Sequence, residues 1–306
     1  MKDFLKGVTP VISTSGRVDI KLQQTLKNLP SFITEKIIVT CPKVELEPLK
    51  KLIETLDIKV AGVMGIDHNN LSELRNLLIN KLKRNVLFID DNMNFHAREY
   101  SDIGGETKYL LKGLNDKYFS KQLQEKLFYE MFGWITEKLN SGHFGMVGLS
   151  SRAGNNFIKT EEVYNNRICA FWGVNYDNYI KAGSPDLGTI STKQDFFLEL
   201  SFLKAGIPCV KTSTFAYDKC GGSNAKGGCS RYRDIDRMDN DSRKLVECFP
   251  QNVSIVIKDA SKWSNLDGET FNDVKIGWKK AYSGKPVEEI VGYKNKDSRT
   301  KENYKK

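Results

Sequence analysis

The sequence predicts an α/β fold, a mainly parallel, doubly wound sheet flanked by helices in a single domain. Three observations carry that expectation. Short β-branched apolar runs alternate with stretches of helical periodicity over residues 8–92, and such alternation places helices on both faces of a parallel sheet. The chain has 306 residues, 40% hydrophobic, with 16 Phe, 12 Tyr and 4 Trp, enough for a substantial core. No internal repeat or low-complexity scaffold competes with this reading.

Val8–Thr14 is the first strand, stopping at Ser15-Gly16-Arg17. Helical spacing follows near Leu22–Leu29. Glu35–Cys41 is the second strand, closed by Pro42, and Leu46–Leu56 repeats its apolar residues at positions 46, 49, 52, 53 and 56, one face of a helix. Lys59–Val63 is the third strand, Ser72–Ile79 opens a helix, and Asn85–Ile89 is a fully apolar fourth strand running into Asp90-Asp91-Asn92. Beyond it, Phe119, Leu123, Leu127, Met131, Trp134 and Leu139 mark a long amphipathic helix packed on the core. Met146–Leu149, Ile168–Val174 and Val253–Ile257 are further strands, and Asp195–Lys204 is a helix ending at Gly206. Tyr217–Gly228 is rich in Gly, Ser, Asn and Lys and reads as a mobile loop.

The 47 Lys+Arg against 38 Asp+Glu give a formal charge of +9, which permits an acidic partner without requiring one. No window approaches the ~18–20 apolar residues of a membrane span, and Met1–Gly7 has no signal-peptide core. A soluble, cytoplasmic protein is expected. The six cysteines include no C-x-x-C pair, so free thiols are expected rather than a zinc site. Residues 294–306 carry six basic and two acidic side chains and form a solvated basic tail.

The informative chemistry lies at the carboxyl end of the apolar fourth strand. Ligands of open α/β sheets bind outside the carboxyl ends of the strands, and the oxygens of Asp90, Asp91 and Asn92 suit a hard divalent cation holding a diphosphate. A strand-end turn in which these groups bond to backbone N–H is the alternative. The stretch Cys220–Arg233 lacks the ending and setting of a P-loop. Its backbone amides, with Lys226, Arg231 and Arg233, can close over a diphosphate or grip an acceptor phosphate; an ordinary surface loop is the alternative. Trp172, in an apolar strand, and His143 are expected to be structural.

Taken in order, Thr9-Pro10-Val11-Ile12, Ile37-Ile38-Val39, Arg75-Asn76, Ile89-Asp90-Asp91-Asn92 and the helix Gln194–Gly206 resemble the GT-A class of nucleotide-sugar-dependent glycosyltransferases over residues 8–257. The resemblance implies a Rossmann-type GT-A-like domain over 1–293, with a nucleotide-sugar-binding half (1–118) and an acceptor-binding half (119–293). It implies Mn2+ or Mg2+ held by Asp90 and Asn92, although Asn92 stands where the family has Asp and no His follows residue 143. Thr9, Pro10 and Ile12 would border the base, Asp91 the ribose or sugar, Arg75 the donor sugar or phosphate, and Lys226 and Arg231 the diphosphate of a UDP-sugar. Arg75 as a helix-surface residue paired with a carboxylate stays open.

Asp195 is the candidate general base, because an inverting transfer needs a carboxylate within reach of the acceptor hydroxyl. Glu199, at i+4, is the substitute, and helix capping is the alternative role of Asp195. The late loop, the 194–196 helix start and Asp90-Asp91-Asn92 together resemble phage enzymes that glycosylate 5-hydroxymethylpyrimidines in DNA, relatives of the base J glucosyltransferase. Seven Lys/Arg against four Asp between Lys219 and Lys244 suit a phosphate backbone. A polysaccharide or protein acceptor, a sugar-phosphate nucleotidyltransferase and a non-catalytic DNA-binding module are the rival readings. Oligomeric state is not encoded in any motif found.

Overall fold

The computed structural model describes residues 3–19, 23–103, 106–115, 119–152, 161–219, 234–259 and 269–292, with backbone alone at 99–103 and 106–111. β1 (Val8–Ser13) leads into two short helices, α1 (Gln24–Asn28) and α2 (Ser31–Thr34), where one helix was expected. Pro30 sits between them in an extended conformation at the amino end of α2, and a residue without an N–H ends one helix and starts the next. β2 (Ile38–Cys41), α3 (Leu46–Thr55), β3 (Gly62–Gly65), α4 (Leu71–Leu82) and β4 (Asn85–Asp90) follow. The third strand lies later than expected because its pairing with β2 runs from Ile38↔Gly62 to Cys41↔Gly65.

An antiparallel hairpin that the periodicity does not announce, β5 (Met93–Ile103) and β6 (Glu106–Gly113), precedes the long helix α5 (Lys121–Asn140). β7 (Met146–Ser151), β8 (Glu162–Tyr164), β9 (Phe171–Val174), α6 (Tyr176–Lys181), α7 (Gln194–Lys204) and β10 (Val210–Lys219) complete the main layers. The chain continues through α8 (Ile235–Cys248), a two-stranded hairpin of β11 (Val253–Asp259) and β12 (Thr270–Ile276), α9 (Trp278–Ala281) and α10 (Val287–Val291).

The ten-stranded sheet has the order β3-β2-β1-β4-β9-β7-β10-β5-β6, with β8 beside β10. The pairings set β1–β4, β6, β7 and β10 in one direction and β5, β8 and β9 against them. The sheet is therefore mixed, with most strands parallel, and the expected α/β architecture in one domain is what forms. Its two faces carry separate cores. On β4, Leu87 and Ile89 join the core with Phe132 and Phe171, while Val86 and Phe88 join Trp172 and Leu198 on the other side. Burying one such side chain contributes about 1.5–3 kcal/mol. Gly173 is required where α5 crosses β9, since a Cβ there would lie 2.6 Å from Leu139.

Among the described residues no helix is long and apolar enough to cross a membrane, and Cys41, Cys169, Cys209 and Cys248 are free thiols. The basic tail at 294–306 and most of the expected loop lie outside the described residues. Tyr217–Lys219, expected as the start of that loop, are instead the end of β10.

Candidate functional site

The register of β1 with β4 pairs Ser13 with Asp90, so both strands end at the same edge of the sheet. β10 runs parallel to β7 and brings Lys219 to this edge. A cavity of about 720 Å³ opens there, its floor formed by Asp90, Arg75 and Lys219 and one wall by Arg167, Cys169 and Asp195. This is where an open α/β sheet places its ligand.

Asp90 is held by two cations from different elements. Arg75 Nη2, from α4, donates to its Oδ1 at 2.9 Å, and Lys219 Nζ lies 2.7 Å from its Oδ2. Burial alone would raise the Asp90 pKa, but Lys219 and Arg75 outweigh it and hold the carboxyl below its usual value. Arg75 is 3% exposed, its guanidinium 5.1 Å from the Trp172 ring and 5.5 Å from that of Phe88. Of the two roles weighed for it, pairing with a carboxylate is seen, but in the buried floor rather than on the helix surface. Trp172 is a fully buried core residue, as expected.

The rest of the acidic motif turns away. Asp91 is buried in an ion pair with Arg17, and burial, exceeding the pull of Arg17, pushes its carboxyl up. Asn92 is 6% exposed. Of these three residues only Asp90 lines the cavity, because the chain bends at 91–92 before β5 begins. Asp91 and Asn92 thus do not line this cavity beside Asp90. Among the described residues no group of three or more His, Cys, Asp or Glu is placed to hold a metal ion, and both oxygens of Asp90 already face cations. The described residues do not fit the divalent cation that the resemblance implies.

Thr9, Pro10 and Ile12 do not line this cavity either. Thr9 pairs with Val86 and Pro10 with Leu87, toward the opposite end of β4 from Asp90, and Ile12 is wholly buried in the core. Lys226 and Arg231 fall outside the described residues. His143 sits in the exposed turn after α5 and is not a cavity residue.

Asp195 lies in the first turn of α7 and forms part of the wall. It is not the cap; that position is Lys193, which makes no side-chain capping bond. Burial raises the Asp195 pKa, opposed by Arg75, Arg167 and Lys219. One turn on, Glu199 is fully buried and does not line the cavity. Its Oε2 accepts from Ile168 N at 2.9 Å, and burial pushes its pKa well up. The proposed substitute base is thus a carboxyl sealed behind the wall, supporting the 167–170 segment.

Several residues of the cavity and of its supports are not among those the sequence singles out. Arg167 packs on the Phe196 ring at 5.0 Å, and Cys169 Sγ is 3.1 Å from Tyr217 Oη. Asp241, on α8, fastens the segment leading into α7, its Oδ2 accepting from Ser191 Oγ at 2.8 Å and from Thr192 N and Oγ1 at 2.7 Å each. Lys193 Nζ donates to Ser242 Oγ at 2.9 Å beside it. For Lys219 a signal existed: the β-prone run Ser213-Thr214-Phe215-Ala216-Tyr217 ends two residues before it.

No protein-family model matches the chain, and no curated protein matches it by sequence. Among solved structures, GalNAc-T7, crystallised with UDP, GalNAc and Mn2+, is similar with a TM-score of 0.50 and 11% identity, over 81% of this chain and 48% of its own. The fold is GT-A-like. Staphylococcus aureus TarS in complex with UDP-GlcNAc is similar with a TM-score of 0.43 and 12% identity, over 78% of this chain and 66% of that one. The chain thus spans about half the length of the first and just under two thirds of the second.

Proposed function

We propose that this protein is a glycosyltransferase that moves a sugar from a nucleoside diphosphate sugar, a UDP-sugar, to the hydroxymethyl group of a modified pyrimidine in DNA. The observation that carries the transferase reading is the convergence of Asp195 with Asp90, Arg75, Arg167 and Lys219 on one cavity at the carboxyl edge of the sheet. A carboxylate and a set of cations are the two groups that transfer from a diphosphate requires. GalNAc-T7, whose fold this chain shares, is seen with UDP, which supports a uridine donor.

In this reading Asp195 accepts the proton of the acceptor hydroxyl as its oxygen attacks the anomeric carbon of the donor. The bond from that carbon to the diphosphate oxygen breaks, and the nucleoside diphosphate leaves with the electron pair. A carboxyl raised by burial is suited to taking a proton near neutrality. Arg75, Arg167 and Lys219 sit where charge develops on the leaving diphosphate. The divalent cation enters no step. Asp90 and Arg75 come from the donor half, 1–118, and Asp195 from the acceptor half, 119–293, which also lends Arg167 and Lys219 to the donor diphosphate.

The DNA acceptor is supported by the +9 charge and by the basic excess from Lys219 to Lys244. The target base must leave the helix stack for its 5-substituent to reach Asp195. The test is incubation with a panel of nucleotide sugars and hydroxymethylated DNA, followed by digestion to nucleosides and mass spectrometry. A sugar-bearing nucleoside is the expected product. Transfer only to polysaccharide or protein would overturn the acceptor, and nucleotidyl transfer to a sugar phosphate would overturn the reaction.

A further inference from the structure

We propose that Lys219, tethered by Asp90, neutralises the donor diphosphate in the position that a divalent cation would otherwise take. The proposal rests on the glycosyltransferase reading and names how its site binds the leaving group.

The two cations on Asp90 are not equivalent. Arg75 is 3% exposed and is fixed between Asp90 and the rings of Phe88 and Trp172. It fixes one oxygen of Asp90 but has no room to travel. The Lys219 side chain is 40% exposed, stands at the end of β10 and lines the cavity. An ammonium on a four-carbon stem presents a compact charge with three donors that reorient freely. Lys219 can therefore turn from Asp90 Oδ2 toward a phosphate oxygen while staying within reach of its tether.

A metal ion would have to displace this side chain. Oδ2 of Asp90 faces Lys219 and Oδ1 faces Arg75, so a divalent cation at Asp90 would stand beside two positive charges, with the Asp91 carboxylate turned away to Arg17. Arg167 supplies a further cation on the same cavity, packed on the Phe196 ring. At Asp90 itself two cations, Arg75 and Lys219, face one carboxylate, a local surplus of positive charge matched to an anion rather than to a metal. A diphosphate held by fixed cations is recognised by direct charge-assisted hydrogen bonds.

The test is calorimetric titration of the full chain with two probes, UDP and inorganic pyrophosphate, in excess EDTA and again in millimolar Mn2+. Both probes are expected to bind in EDTA, with affinities within about threefold of those in Mn2+. Lys219→Met should weaken both by about tenfold or more, the loss expected for one charge-assisted bond to phosphate, while Lys219→Arg retains most of the affinity. Binding that appears only with Mn2+, or tightens by about tenfold with it, overturns the proposal and leaves the transferase reading standing. Metal-free binding that K219M does not weaken also overturns it. If wild-type protein binds neither probe in either buffer, the transferase reading falls and the proposal with it. The comparison of buffers needs no variant, so the wild-type titrations can still refute the proposal if K219M fails to fold.

Discussion

Replacing Glu199 by Gln tests the electrostatics beneath the site. Glu199 is wholly buried, with one oxygen accepting from Ile168 N at 2.9 Å. Lys211, a candidate counter-ion, directs its ammonium to Arg167 O at 2.8 Å and Asn166 Oδ1 at 3.3 Å instead. Burial raises the Glu199 pKa well above the ordinary glutamate value of 4.5, so the folded protein binds a proton that the unfolded chain releases. Where the unfolded state binds fewer protons, stability falls as pH rises. For one group the slope is about 1.4 kcal/mol per pH unit, from just above the unfolded pKa up to the folded one. Gln is neutral at every pH and offers the same acceptor to Ile168, so Glu199→Gln should remove this slope. The assay is urea unfolding of both proteins at pH 5, 6 and 7. The variant should gain on wild type as the pH rises, by at most about 1.4 kcal/mol per unit. A difference that does not change with pH refutes the reasoning. That result would mean that Glu199 is ionised in the fold and paired with Lys211, its stabilisation already complete above the unfolded pKa.

Asp195→Asn should leave UDP binding in place and lower transfer by ~10² or more, the scale of a general-base contribution; near-normal turnover in a steady-state assay would remove Asp195 from the mechanism. Arg75→Met leaves Asp90 with Lys219 alone, and should cost about 2–4 kcal/mol in denaturant unfolding, with the Asp90→Asn, Arg75→Met double variant losing less than the sum of the two single losses. Asp241→Ala strips the acceptor from Ser191 Oγ, Thr192 N and Thr192 Oγ1, and a loss of about 1–3 kcal/mol in thermal or urea unfolding together with slower transfer would mark it as the anchor of the Asp195 helix. Removing residues 294–306 should flatten the salt dependence of DNA binding, measured by fluorescence anisotropy at several salt concentrations, if the tail contributes sequence-independent phosphate contacts.

What could be read before folding followed from local periodicity. Val86–Ile89 is apolar on both faces because the strand it forms is buried on both faces, with all four residues at 1% exposure or less, and that marks a central strand. The acidic end of this strand was legible for the same reason. The β5–β6 hairpin was not, because Met93–Ile103 mixes His96, Arg98, Glu99 and Asp102 among its apolar residues and takes its strand character from pairing with β10 and β6. The helix α8 carries few apolar residues, Ile235, Met238, Leu245, Val246 and Cys248, with a charged and polar run from Asp239 to Lys244, although Asp234 ahead of it is a regular cap, accepting from Arg237 N at 2.7 Å.

The site was legible in its residue types and illegible in its partners. Asp90 in the sequence is a strand-end carboxylate, equally suited to a metal ion, a backbone turn or an ion pair. The choice among these depends on what the topology delivers to the same edge. Lys219 is 129 positions away and arrives through the parallel pairing of β10 with β7, and Arg17 is 74 positions from Asp91. No local pattern encodes either meeting. The same sheet order that seats β9 between β4 and β7 also brings Arg167 and Cys169, which lead into β9, to the Asp195 side of the cavity. A carboxylate's chemistry here is set by its cations, and those cations are set by strand order; Asp90 reads as a metal ligand until β10 is placed, and as a tether for Lys219 once it is.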